Sequence, residues 1–348
     1  MPELDRKDSH LALCLTEPVE FTSARGSGFR ELRFEHDALP EIDLAAVSTE
    51  IELLGKRLAA PLVVGSMTGG TPRAGELNRR LALAAESCGV GFALGSQRKM
   101  LGDPSTRDTY AVREVAPRLP LLFGNVGAVQ LNYGVGVPEL QRLIAGVGCD
   151  AFFFHLNPLQ EAIQPEGDTR FSGLVSKLRA VVPELGIPVL LKEVGAGISR
   201  ATALKIREIP DVGVEVAGTG GTSWARIESL RTNDPVQRST GELFARWGIP
   251  TAESIAICRS VLPDRVVIAS GGIRDGIQVA KAIALGADAA ALSLPLLRAA
   301  EQSIEAAVLA IRRVIEELRT AMFLTGCRTV SDLARCTLVH AHDLTAEE

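Results

Sequence analysis

CDAFFFHLN (149–157) stays apolar through consecutive positions and then closes on His155 and Asn157. A run of this kind suits a strand buried on both faces, as in a parallel sheet. Three similar runs precede it: PLVVGSM (61–67), GVGFALGS (89–96) and LPLLFGNVG (119–127). Four follow: IPVLLKEVG (187–195), VGVEVAG (212–218), VVIASGG (266–272) and AAALSLP (289–295). Helix-length segments separate most of them. Eight such units, with polar or glycine residues at the strand ends, read as a (β/α)8 TIM barrel, an α/β fold whose chemistry sits at those ends.

Apolar residues recurring at three and four predict helices over 73–88, 137–147, 172–184, 199–208, 251–261, 275–286 and 296–324. Pro72, Pro138 and Thr251 sit at helix starts, where proline or a capping hydroxyl is favoured. The connections 158–171 and 219–250 exceed a plain crossover and read as functional loops. The chain divides into an N-terminal extension (1–58), the barrel (59–324) and a C-terminal helix and tail (325–348). Within the extension, STEIELLG (48–55) can pair as a hairpin over the barrel's base.

The chain has 348 residues, 46% hydrophobic and only 4% aromatic, so Ala, Val, Leu and Ile make its core. A net charge of −5 argues against a broad nucleic-acid surface. Six cysteines are scattered with no CxxC pair and no zinc spacing, and read as reduced thiols in a cytoplasmic protein. No apolar stretch reaches the ~20 residues of a spanning helix, so no membrane segment is expected.

GGIR (271–274) follows the seventh strand, and the eighth ends at Ser293-Leu294 before a helix. In barrels these two loops with a helix N-terminus form the usual phosphate pocket. Gly271 and Gly272 let backbone N–H groups approach phosphate oxygens; the alternative is a tight turn needing positive φ. GTGGTSW (218–224), with Thr222, is a second glycine-rich anion loop. Two adjacent loops of this type point to a phosphorylated cofactor, commonly flavin mononucleotide (FMN). Ser66, Met67, Thr68, Ser96 and Asn125 close the first three strands with partners for a flavin ring. Lys192 closes the fifth, where it can stabilise negative charge on reduced flavin. Its alternative is a salt bridge to Glu193, which strand alternation disfavours.

On the fourth strand His155 and Asn157 share a face, by alternation the interior, with Phe152, Phe154 and Leu156 turned to the helices. Gln160 and Glu161 follow. Glu161 has no second acidic ligand at metal spacing, but Mg2+ commonly takes one or two carboxylates plus phosphate oxygens. That pattern predicts a diphosphate substrate. Arg98 sits at the mouth, and Arg6, Lys7 and His10 can fold in to clamp it. By itself RKDSH (6–10) reads instead as a disordered basic start.

RKDSH with Cys14, PLVVGSMTGG, GVGFALGSQR, GNVGAVQL, HLNPLQEAIQPEGD, KEVGAGIS, GTGGTSWARIE and ASGGIRDG together resemble the type 2 isopentenyl diphosphate isomerase family. The blocks run in family order from residue 6 to about 300. The resemblance implies interconversion of isopentenyl and dimethylallyl diphosphate without net redox change, using reduced FMN, Mg2+ and NADPH as reductant. It also implies a homo-oligomer, tetramer or octamer. Carried over by position, Arg6, Lys7, His10, Ser96, Gln97, Arg98, His155 and Asn157 are implied substrate contacts. Gln160 stands beside the isoprenoid chain, and Glu161 is the implied metal ligand. Gln160, Lys192, His155 and Asn157 form the implied catalytic set. Ser66, Met67, Thr68, Ser96, Asn125, Lys192, Thr222, Gly271, Gly272 and Ile273 are implied flavin contacts. Ser293-Leu294 departs from the family's small-residue pair but keeps the backbone groups. Trp224 and Glu228 shield the ring in this reading, with packing the alternative for Trp224.

Three other readings compete. A nucleotide-oxidising barrel needs a nucleophilic Cys in a loop, and all six cysteines lie elsewhere. A flavin oxidase of 2-hydroxy acids needs a His base with an Arg at the mouth, and neither the sixth- nor the seventh-strand loop offers a His. A flavin- or phosphate-binding sensor is the non-enzyme alternative.

Overall fold

The computed structural model describes residues 6–21 and 26–340. Its strands are β1 (Leu32–Phe34), β2 (Ile51–Leu53), β3 (Lys56–Leu58), β4 (Leu62–Val64), β5 (Gly91–Ala93), β6 (Leu122–Gly127), β7 (Ala151–Leu156), β8 (Val189–Glu193), β9 (Val212–Glu215), β10 (Val267–Ala269), β11 (Ala289–Leu292) and β12 (Leu338–His340). The eight strands β4 to β11 are parallel and close into a barrel through the β11–β4 pair, each one from a run singled out above.

The helices are α1 (Arg6–Thr16), α2 (Pro72–Cys88), α3 (Arg98–Gly102), α4 (Val137–Val147), α5 (Pro158–Ile163), α6 (Leu174–Val181) and α7 (Arg200–Arg207). They continue as α8 (Trp224–Arg231), α9 (Pro235–Phe244), α10 (Thr251–Val261), α11 (Gly276–Ala284), α12 (Leu294–Gln302), α13 (Ile304–Phe323) and α14 (Val330–Leu333).

Alternation sorts each strand as expected. Ala151 and Phe153 face inward with Phe123 and Leu190, while Phe152 and Phe154 pack against the helices. The Phe123 and Phe153 rings stack 4.5 Å apart inside the barrel. The β2–β3 hairpin turns through Leu54 and Gly55, both at positive φ (52° and 74°), which a two-residue primed turn requires. Leu53 and Leu58 pack on the interior cluster and plug the base. The hairpin therefore closes the floor, and the cavity lies at the opposite end.

Several expectations need correction. The predicted helix 296–324 is two helices, because Ser303 is extended (φ −167°, ψ 170°) and its Oγ accepts from Ala306 N at 3.1 Å to cap α13. The segment 172–184 yields α6 and then a 3-10 turn at Val182–Leu185, where Pro183 has no N–H to continue the ladder. The two long connections are not open loops: α5 opens with Pro158, and α8 and α9 are capped by Ser223 and Asp234. Thr251 does not cap α10. Its hydroxyl lies 3.2, 3.1 and 2.6 Å from the carbonyls of Thr219, Ser270 and Gly271 and ties two barrel loops together.

Before the barrel, α1 lies across the open mouth, pinned where Thr71 Oγ1 donates to Asp8 at 2.6 Å. The chain then lines up beside the β9 loop, with Phe21 N donating to Gly221 O and Ser223 N to Val19 O, both at 2.8 Å. After the barrel, α14 carries a reciprocal cap between Thr329 and Asp332, and β12 pairs antiparallel with β1. The tail expected at 341–348 lies outside the described residues. Among the described residues no helix is long and apolar enough to cross a membrane.

Candidate active site

The barrel mouth holds a cavity of about 210 Å³, walled on one side by α1. Ser66, Met67 and Thr68 after β4, Ser96 after β5 and Asn125 on β6 line it. So do His155 and Asn157 at the end of β7, Gln160 and Glu161 on α5, and Lys192 on β8. Asn125 is oriented by its own bond to Leu94 O (3.1 Å).

Opposite these, two glycine loops meet edge to edge. Gly271 and Gly272 have φ of 100° and 74°. A Cβ on Gly271 would stand 2.1 Å from Gly218 O, one on Gly272 2.5 Å from Gly220 O, and one on Gly221 2.6 Å from Gly272 N. No side chain larger than hydrogen fits either edge. Thr222 and Ile273 border this seam, and Ser293-Leu294 at the start of α12 complete it. Backbone N–H groups and a helix start facing one cavity suit a phosphate. The buried Ser66 Oγ has no hydrogen-bond partner among the described residues, which leaves it available to a bound ring. The residues present fit FMN. Gly271→Ala is expected to force the two loops apart and to lower flavin content at least tenfold, as an order of magnitude. Absorbance of the purified variant measures it; full flavin content would show that the seam tolerates a Cβ.

Lys192 is 8% exposed and enters the interior as alternation required. Its ion-pair partner is not the Glu193 carboxylate, whose Oε2 accepts from the N–H groups of Val194 and Gly195 at 2.6 Å each, although Nζ also donates to the Glu193 backbone carbonyl at 3.1 Å. Instead Lys192 Nζ donates to Glu215 Oε1 at 2.6 Å, and Ser270 Oγ donates to the same oxygen at 2.7 Å. The parallel register sets Lys192 against Glu215. Glu215 Oε2 is buried without a hydrogen-bond partner among the described residues. The ammonium is thus held at the floor of the cavity by a carboxylate beneath it.

His155 is half-buried on the cavity wall, and desolvation, then the charges of Lys192, Lys7, Arg98 and Arg6, push its pKa down to about 3. It is neutral at pH 7. Because Asn125 Nδ2 is committed to Leu94 O, Asn125 Oδ1 accepts from His155 Nδ1–H at 2.8 Å, leaving Nε2 as an acceptor. The unfolded chain binds a proton near 6.5, whereas the folded chain excludes it down to about 3. Stability from this residue is therefore present above pH 6.5 and lost as pH falls towards 3. His155→Gln is expected to flatten the acid limb of a denaturant-midpoint profile by about one proton. An unchanged slope would mean that His155 titrates normally.

The remaining wall is charged. Lys7 Nζ donates to Ser96 O at 2.6 Å and to Tyr110 Oη at 2.8 Å, so the RKDSH start is a helix docked on the mouth, not a loose tail. His10 Nε2 lies 2.9 Å from Glu228 Oε1 at ion-pair distance, without hydrogen-bond alignment, and its ring meets Trp224 edge-on at 5.2 Å. Glu228 is fully buried. Burial opposes its charge, but His10, Gln160 and Arg231 outweigh burial and hold its carboxyl below the usual range. Gln160 Nε2 donates to Glu228 Oε1 at 3.0 Å, and Gln160 Oε1 accepts from Asn157 Nδ2 at 3.1 Å. Arg98 pairs with Asp168 at 2.6 Å. The amide of Gln164, turned to satisfy both neighbours, accepts from Arg6 at 2.8 Å and donates to Glu228 at 3.2 Å.

Gln97 corrects the sequence reading. It has no exposed surface and does not line the cavity: Nε2 donates to Leu143 O at 3.2 Å and Oε1 accepts from Asn125 N at 3.0 Å. It braces Asn125 from behind. Glu215, Ser270, Asp168 and Tyr110 were not anticipated. The acidic residue in VGVEVAG was the available signal for Glu215, an ionisable group inside a buried run.

A family profile described as FMN-dependent dehydrogenase matches residues 175–340. The isopentenyl-diphosphate delta-isomerase of Rickettsia bellii (strain RML369-C) is 45% identical over 98% of this chain and 99% of its own. That of Nostoc sp. (strain PCC 7120 / SAG 25.82 / UTEX 2576) is 47% identical over 94% of this chain and 93% of its own. Among solved structures, mandelate oxidase with (S)-4-hydroxymandelic acid superposes with a TM-score of 0.66 at 19% identity, over 95% of this chain and 94% of that one. A mandelate oxidase variant with a monooxide FMN adduct gives 0.65 at 20%, over 96% of this chain and all of that one. These likenesses show the fold alone. Near-full-length identity to the isomerases, together with the flavin-type profile, decides the matter: the chain belongs to the FMN-dependent, type 2 isopentenyl-diphosphate delta-isomerase family.

Proposed function

We infer that the chain interconverts isopentenyl and dimethylallyl diphosphate with reduced FMN and Mg2+, without net redox change. The observation that carries this is the division of one cavity into a glycine seam for a phosphate and a separate cationic wall for a second anion. Gly271, Gly272, Thr222 and the start of α12 would hold the FMN phosphate, with Ser66, Thr68, Asn125 and Lys192 around the ring. When bound, reduced FMN would supply the group that exchanges protons with C2 and C4 of the substrate.

This chain's residues orient and neutralise. Arg6, Lys7, His10 and Arg98 bind the diphosphate, and neutral His155 offers Nε2 as a hydrogen-bond acceptor without adding charge. Glu161 is 6% exposed, its oxygens accepting from Asn157 Nδ2 (2.8 Å) and Asp168 N (2.7 Å), and burial pushes its pKa up. A buried carboxylate short of positive charge fits Mg2+, which would take its other ligands from phosphate oxygens and water. No cluster of three or more His, Cys, Asp or Glu ligands exists among the described residues, as such a substrate-assisted site requires none. Asn157 Oδ1, buried and without a hydrogen-bond partner among the described residues, is a further oxygen ligand beside it. Gln160, steered by Asn157 and Glu228, stands against the isoprenoid chain, and α1 keeps water from it. Fixed geometry of this kind supplies about 7–11 kcal/mol of the barrier. The reading includes NADPH as reductant, a homo-oligomeric assembly of four or eight chains and a cytoplasmic location.

The test is isomerisation of isopentenyl diphosphate by FMN-loaded protein under excess reductant, with and without Mg2+. Turnover only when both are present is expected. Isomerisation on oxidised flavin would overturn the reduced-flavin requirement, and consumption of a 2-hydroxy acid with no isomerisation would replace this reading with the oxidase.

A further inference from the structure

Away from the barrel mouth, Cys327 Sγ and Cys336 Sγ lie 3.2 Å apart. The approach is built, not incidental. Cys327 follows Gly326, whose φ of 68° ends α13, and its N–H is fixed to Met322 O at 2.9 Å. Cys336 follows α14, and its N–H is fixed to Leu333 O at 3.0 Å. Between them the Thr329–Asp332 reciprocal cap rigidifies the short connection. Both thiols are therefore held in place before any bond forms, which favours ring closure over reaction with two separate small thiols.

We propose that Cys327 and Cys336 form a reversible dithiol–disulfide site that reacts with low-molecular-weight disulfides. Cys336 is half-buried and reachable, whereas Cys327 is 3% exposed. The thiolate of Cys336 attacks the external disulfide, forming a mixed disulfide and releasing one small thiolate. Cys327 then attacks the Cys336 sulfur and expels the second, its own proton passing to a released thiolate. The chain is oxidised by two electrons and one small disulfide is reduced to two thiols. The remaining cysteines are poor competitors. Burial pushes Cys14, Cys149 and Cys258 each up to about 12 and raises Cys88, so little of any is thiolate near neutral pH. It pushes Cys327 up to about 11 as well, so Cys327 acts second, on a mixed disulfide whose Cys336 sulfur the fold already holds 3.2 Å away. The bond would staple the end of α13 to the segment leading into β12, the strand that holds β1.

The test is incubation of the flavin-loaded protein with oxidised glutathione, followed by alkylation and peptide mass mapping. Loss of two of the six thiols is expected, with a single cross-link joining Cys327 to Cys336, reversed by dithiothreitol. In Cys327→Ser, Cys336 should accumulate as one stable glutathione adduct per chain. A stable adduct at Cys336 in the unsubstituted protein, no modification, or a cross-link through another cysteine would each overturn the proposal. The mapping on the unsubstituted chain stands by itself if the variant fails to fold.

Discussion

Lys192→Ala should lose stability, flavin and turnover together, for one electrostatic reason. Removing the ammonium strands the Glu215 carboxylate, which is 1% exposed and, among the described residues, keeps only the Ser270 hydroxyl as a donor. Breaking a buried pair from one side costs about 3–5 kcal/mol. The unfolding midpoint should drop accordingly, and turnover should fall by about 10²–10³-fold through loss of charge beside the ring. The double variant Lys192→Ala/Glu215→Gln separates the two effects. Neutralising the stranded carboxylate should restore most of the midpoint while turnover and flavin content stay low. Unchanged flavin content and turnover in Lys192→Ala would remove Lys192 from the site altogether.

Gln160→Ala is expected to behave differently. Gln160 bridges Asn157 and Glu228 but contributes nothing to the glycine seam, so flavin should be retained. Turnover should fall by about 10²-fold, because a misplaced five-carbon chain loses the near-attack geometry on which the reaction depends. The measurement is kcat at saturating substrate alongside flavin absorbance. Full activity would make Gln160 a bystander; loss of flavin would make it structural.

The two variants probe residues that were legible to different degrees. Lys192 is recognisable as a charge ending a buried run, and its inward aim follows from alternation. Its partner is not recognisable, since Glu193 is its neighbour in sequence and Glu215 is its neighbour in space. Gln160 stands out in HLNPLQEAIQPEGD, yet its contact with Glu228 joins two helices 68 positions apart. Gln97 shows the opposite failure. It sits between two cavity residues, Ser96 and Arg98, but the chain turns into α3 there and sends its amide inward.

What the amino-acid order determined by itself was the barrel, the glycine seam and the floor hairpin, because each rests on local rules: burial on both strand faces, period-two alternation, and backbone angles open to glycine. What only the tertiary structure decided was which groups meet. The register of β8 against β9 set Lys192 on Glu215, and docking on the mouth turned RKDSH into part of α1. The path of the chain after α13 brought Cys327 to Cys336. Such pairings depend on how separate elements pack, and no short stretch of chain carries that information.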